Sequence, residues 1–300
     1  MEDKKWGAFS ANSIARSREN GLLTALWVYK WGFTSTEILM RLLQVARTTV
    51  AVEMTKRGLL EQIKTDAGFR DRTVFILTGA GLQLAENFIE EYDEPNYTAF
   101  VLQNYTLHKT KRLPFRTLAH DLCTQHVVLD TYNANSRILK RVDPGRVLSR
   151  INPSIFLSSR ELQTATGGTK DIPVYDAVMY RTTVKIEIEL NHKEDLRLRQ
   201  WLYLRICNMN LEWNESGETP YLYIYTNKVS VIKALNLLLS EDYVKPVTIG
   251  KAHKLEIAAH NTPKVGDKSL IGPLRGQIHI LKLEKDETRK SGGYRIPTEE

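Results

Sequence analysis

Three carboxylates, Asp176, Glu187 and Glu189, are the residues whose types and spacing best suggest chemistry. Glu187 and Glu189 lie in Thr183 to Leu190, where apolar and polar residues alternate strictly, the period of a β-strand. Val184, Ile186, Ile188 and Leu190 then share one face, and Lys185, Glu187 and Glu189 share the other. Upstream, Pro173 and Asp176 open a second extended run, Tyr175 to Tyr180, and Arg181-Thr182 supplies a turn back. Such a hairpin carries Asp176 towards Glu187 and Glu189. Three carboxylates so close repel one another unless a divalent cation lies between them. The competing reading is a solvated amphipathic strand whose charges are only its wet face.

The surrounding elements must position that hairpin. Thr117 to Asn133 reads as a helix, with an apolar stripe at Leu118, Leu122, Val128 and Leu129. His120 and His126 lie on it six residues apart, a spacing that does not put both on one face, so they read as packing histidines rather than a metal pair. Residues 134–160 are basic and have no assigned structure, and 164–171 read as a loop. After the hairpin, His192 to Asn208 reads as a helix exposing Arg197, Arg199 and Arg205. Tyr221 to Tyr225 is a strand of buried character, and Asn227 caps a helix through Leu239. Short strands follow at Leu255 to Ala258 and Gln277 to Leu283, and the last dozen residues read as disordered.

The first hundred residues have a different pattern. Residues 1–17 read as a loose polar lead-in; Leu22, Leu23, Leu26, Trp27 and Trp31 then fall at helical spacing up to Gly32. Thr34 with Glu37 forms a capping-box pattern for a second helix through Leu43. A third helix runs from Arg47 to Arg57 and is closed by Gly58. Two strands, Leu59 to Lys64 and Thr73 to Leu77, flank a turn at 65–68, and Thr78 caps a further helix to Glu91. Residues 93–115, with Pro95 and Pro114, read as a connection.

Composition bounds the function classes. Hydrophobic residues at 42% and charged residues at 26% over 300 residues describe a folded chain of two domains. The net charge of +7 favours an anionic partner, nucleic acid first. It is uneven: from 101 to 160 ten basic residues (Lys109, Lys111, Arg112, Arg116, Arg137, Lys140, Arg141, Arg146, Arg150, Arg160) face three acidic ones, a surplus equal to that of the whole chain. Cys123 and Cys207 fit no zinc spacing, and a reduced cytoplasmic protein is the simplest account. Lys4 and Lys5 precede no apolar run, and Val229 to Leu239 is too short to span a bilayer, so no signal peptide or membrane insertion is expected.

Residues 18–92 resemble winged helix-turn-helix DNA-binding domains, with three helices followed by a two-stranded wing. That resemblance implies DNA contacts from Arg47, Thr48, Lys56 and Arg57 on the third helix and from Lys64, Arg70 and Arg72 on the wing. Residues 116 to 240 resemble the PD-(D/E)XK nuclease superfamily, the fold of many restriction endonucleases. Asp176 matches the first acid of its motif and Glu187 the second, while Glu189 stands where the motif lysine usually sits and Pro173 is two residues too far from Asp176. The whole chain is similar to MobC-type plasmid mobilisation relaxases and the related replication-relaxation proteins. The fold expected is therefore α/β (α+β): a winged helix, 1–95; a linker, 96–115; a nuclease-like domain with a central mixed sheet flanked by helices, 116–245; and a C-terminal extension, 246–300.

The activity implied is metal-dependent nicking of one strand of plasmid DNA at an origin of transfer, together with accessory and coupling proteins. Asp176, Glu187 and Glu189 would hold Mg²⁺ or Mn²⁺, hard cations that offset charge on the phosphate and activate water. Lys193 would approach the scissile phosphate, with Lys185 its competitor. A transferring rather than hydrolysing relaxase would use one of thirteen tyrosines, Tyr175 and Tyr180 being nearest the acids. Two further readings stay open: a non-enzymatic winged-helix regulator of plasmid replication or transcription, and a restriction-type double-strand endonuclease.

Overall fold

The computed structural model describes residues 3–47, 49–65, 73–92, 113, 117–134, 156–165, 174–179, 183–190, 195–241, 272–285 and 294–295. Helices and sheets combine in two compact units, 1–155 with 287–293 and 156–286 with 294–300. The division between them falls between Ile155 and Phe156.

In the first unit, α1 (Asp3–Trp31) precedes a two-residue strand β1 (Thr34–Ser35) and α2 (Thr36–Leu43). The helical start at Asp3 replaces the loose lead-in expected for 1–17. That segment lacks an apolar stripe but also lacks proline, so nothing in it stops the helix. The cap of α2 is Ser35, whose Oγ accepts the Ile38 amide at 3.3 Å. Thr34, expected to cap, instead pairs in the strand with Phe75 and gives its hydroxyl to Gln125 Oε1 at 2.9 Å.

α3 (Thr49–Lys56) follows, and Gly58, at φ 71°, takes the left-handed conformation that lets the Gly58 and Leu59 amides close its last carbonyls. β2 (Leu60–Lys64) and β3 (Thr73–Leu77) pair antiparallel from Leu60 opposite Leu77 to Lys64 opposite Thr73, giving a sheet of order β1-β3-β2. α4 (Gly79–Tyr92) is capped as expected by Thr78, whose Oγ1 accepts the Gly81 amide at 3.1 Å. Gly81 is required there, because a Cβ would stand 1.9 Å from the Leu59 carbonyl oxygen.

α5 (Leu118–Ala134) belongs to this unit, and the reason is specific. The Gln125 amide is buried: its Oε1 also accepts from Trp27 Nε1 at 2.8 Å, and its Nε2 donates to the Phe33 carbonyl at 3.0 Å. One turn along, Arg41 of α2 reaches His126 and Asp130. His126 is thus a buried packing histidine, as its spacing suggested.

The second unit is built on a five-stranded mixed sheet of order β4-β5-β6-β7-β8: β4 (Phe156–Ser158), β5 (Ala177–Met179), β6 (Val184–Glu189), β7 (Tyr221–Thr226) and β8 (Ile278–Lys282). β4 to β6 pair antiparallel, and β6 to β8 pair parallel. Between them run α6 (Ser159–Ala165), α7 (Asp195–Ser216), α8 (Val229–Ser240) and a 3₁₀ turn, Gly272–Gln277. The cap position of α8 is Lys228 rather than Asn227, without a side-chain bond. A short ladder joins β9 (Glu284–Lys285) to β10 (Tyr294–Arg295), and β10 lies within the last dozen residues that composition alone marked as disordered. The calls on 255–258 and on the basic residues from Lys109 to Arg150 fall outside the described residues.

Both faces of the sheet are buried: Phe156, Ala177, Ile186 and Ile188 line one, and an apolar cluster lies on the other. Leu222, Ile224 and Ile278 pack there against Leu198, Leu202, Ile206 and Met209 of α7 and against Val231, Leu235, Leu238 and Leu239 of α8. Arg199 of α7 forks onto Glu241, just past α8, with two bonds of 2.9 Å. No described helix is long and apolar enough to cross a membrane.

Candidate functional site

Two charged surfaces carry the functional argument. The first is α3. This short helix buries Ala51 and Met54, half-buries Val50 and Thr55, and exposes Thr49, Val52, Glu53 and Lys56. Arg47 before it and Arg57 after it are exposed, as is Lys64 on β2. Lys56 Nζ meets Glu53 Oε1 at 3.1 Å, an exposed pair three residues apart. Thr48, Arg70 and Arg72, expected beside them, lie outside the described residues.

The second surface is the polar face of β6. Its register matches the sequence reading: Ala177 opposes Ile186 and Val178 opposes Lys185, so Asp176 stands across from Glu187. The face is not wet, however. Lys185, Glu187 and Glu189 are 3%, 5% and 5% exposed, because they share the side of the sheet that α7 covers. Since β6 and β7 are parallel, the helix joining them runs back against the strand. Its early residue Arg205 therefore meets the later Glu187, and its later residue Glu212 meets the earlier Lys185.

Arg205 donates Nε to Glu187 Oε1 at 2.7 Å and Nη2 to the Val174 carbonyl at 3.1 Å. Its guanidinium lies over the rings of Trp201 and Tyr175, 5.1 and 5.4 Å from their centroids. Asn208 Nδ2 links Tyr175 Oη at 3.0 Å to Glu212 Oε1 at 3.2 Å. The result is a closed network of two ion pairs, Glu187–Arg205 and Lys185–Glu212, bridged by a buried tyrosine. Burial, only partly offset by Arg205, raises the Tyr175 hydroxyl well above the ordinary tyrosine range. A buried, protonated, hydrogen-bonded Tyr175 is ill-suited to attack a phosphate; Tyr180 lies outside the described residues.

Arg205 is the residue that sequence reasoning misplaced, having been assigned to an exposed face. A signal was present: Trp201, Arg205, Asn208 and Glu212 recur at helical spacing, one stripe beside the apolar stripe Leu198, Leu202, Met209.

Of the three acids expected to hold a cation, Asp176, Glu187 and Glu189, the first two have other partners in this geometry. Glu187 is held by Arg205, and Asp176 Oδ2 accepts the Ile188 amide at 2.7 Å. Among the described residues no three His, Cys, Asp or Glu side chains are grouped to hold a metal ion. Lys193 lies outside them. A guanidinium already supplies positive charge at Glu187, so a divalent cation held there would have to displace Arg205. Comparison with protein-family models, curated proteins and solved structures returns no match for the chain.

Proposed function

We propose that the chain is a winged-helix protein that binds double-stranded DNA, regulating plasmid replication or transcription, with a nuclease-like second unit serving as scaffold. The observation that carries this reading is α3, whose exposed positions Thr49, Val52, Glu53 and Lys56 are flanked by exposed Arg47 and Arg57. Three helices followed by an antiparallel hairpin support it, since that order lets the third helix enter a major groove while the hairpin lies along the backbone. The buried Glu187–Arg205 pair supports the scaffold role, because it neutralises the acid on which cleavage would depend. The test is duplex selection from a random pool by the full chain, followed by anisotropy titration at several salt concentrations. Sequence-dependent binding that weakens steeply with salt is the expected result, and absence of binding at low salt sinks the reading.

A second reading, a strand-nicking endonuclease at a plasmid transfer origin, is favoured by one observation. The β4 to β7 pairing order, with Asp176 across from Glu187, is the arrangement that the PD-(D/E)XK resemblance implies. It requires Glu187 to leave Arg205. Supercoiled plasmid incubated with the protein and Mg²⁺ or Mn²⁺ separates the two: nicked circles that disappear with Glu187→Gln support the enzyme. Sequence-specific binding without nicking leaves the scaffold.

A further inference from the structure

We infer that Val52 reads a thymine in the major groove through the C5 methyl of the base. This rests on the DNA-binding reading and assigns a base to one residue of that site. Val52 is 49% exposed, and among the described residues only Val229 and Leu237 are other large hydrophobics so placed. The fold gives it no packing role: α3 is anchored by Ala51 and Met54 instead. A β-branched side chain on an exposed helical face also costs helix propensity relative to alanine or lysine. Valine at this position is thus placed to meet a partner.

The surroundings define that partner. Exposed Arg47, Lys56, Arg57 and Lys64 outnumber exposed Glu53 and Glu61, so the surface suits a polyanion. Glu53, adjacent to Val52, is already paired with Lys56, so the face keeps its positive surplus. A polyanion that also offers isolated apolar spots is a duplex, read through its major groove. Its apolar spots are the thymine methyls, the group with which small aliphatic side chains make contact.

The experiment uses the full chain and the duplex it selects from a random pool. Each thymine of that duplex is replaced in turn by uracil, which pairs identically and lacks the methyl. One replacement should weaken wild-type binding about fourfold, the value of one buried methyl-sized group. Val52→Ser should bind the thymine and uracil duplexes equally, while Val52→Ala, a better helix former, controls for local unfolding through an unchanged melting temperature. The inference is overturned if no uracil replacement matters, if the selected duplex has no required thymine, or if Val52→Ser retains the discrimination. Failure to select any duplex refutes instead the DNA-binding reading beneath it.

Discussion

The α3 surface and the β6–α7 interface use the same residue types to opposite ends. Both combine lysine, arginine and glutamate on an amphipathic element, yet α3 leaves its charges in water and β6 encloses them under a helix. An exposed ion pair such as Glu53–Lys56 contributes little and can exchange for phosphate. A buried pair such as Glu187–Arg205 is a commitment, because removing either partner strands the other in a low-dielectric interior. Availability to a ligand is set by what covers the charge, not by the charge itself.

The largest test of this contrast is Arg205→Met. Leaving Glu187 buried without its cation should destabilise the second unit by about 3–5 kcal/mol, read by chemical unfolding. Pairing it with Glu187→Leu should recover much of that loss, and failure to recover would break the claim that charge pairing is what matters. Next is Gly81→Ala, which sets a Cβ against the Leu59 carbonyl and should cost about 1–3 kcal/mol in the first unit. Its effect should be insensitive to salt, since it tests packing rather than charge.

Lys56→Ala and Arg57→Ala should leave stability within about 0.5 kcal/mol. Each should lower DNA affinity and reduce the salt slope by about 1 if the residue meets a phosphate. The smallest effect concerns Cys207, whose thiol burial pushes up to about 11, with the hydrogen bond to Tyr203 acting in the opposite direction. The unfolded thiol titrates at about 8.5. The folded state therefore retains the proton longer, and this stability is complete below that pH and is lost as pH rises towards 11. Native protein at pH 8 should accordingly resist iodoacetamide at Cys207, a result read by mass spectrometry.

Much of the local structure was legible in the sequence because it depends on near neighbours. The alternation of β6, the glycine end of α3 at Gly58 and the cap at Thr78 all appear as read. The misread features depend on distant partners. Thr34 loses its cap role because Gln125, 91 residues on, takes its hydroxyl. The Lys185, Glu187 and Glu189 face looks solvated until the crossover helix is placed over it, and Arg205 looks exposed for the same reason. The pairing of Asp176 with Glu187 across the hairpin was legible from the alternation, but the engagement of Glu187 was not.

The side-chain amide of Gln125 has a practical consequence for dissecting the molecule. It satisfies the Trp27 indole, the Thr34 hydroxyl and the Phe33 carbonyl together, three groups at the entry to α2. A fragment trimmed at residue 95, the boundary that composition suggests, would leave all three groups orphaned in a greasy interior. A self-sufficient amino-terminal piece has to extend through Ala134.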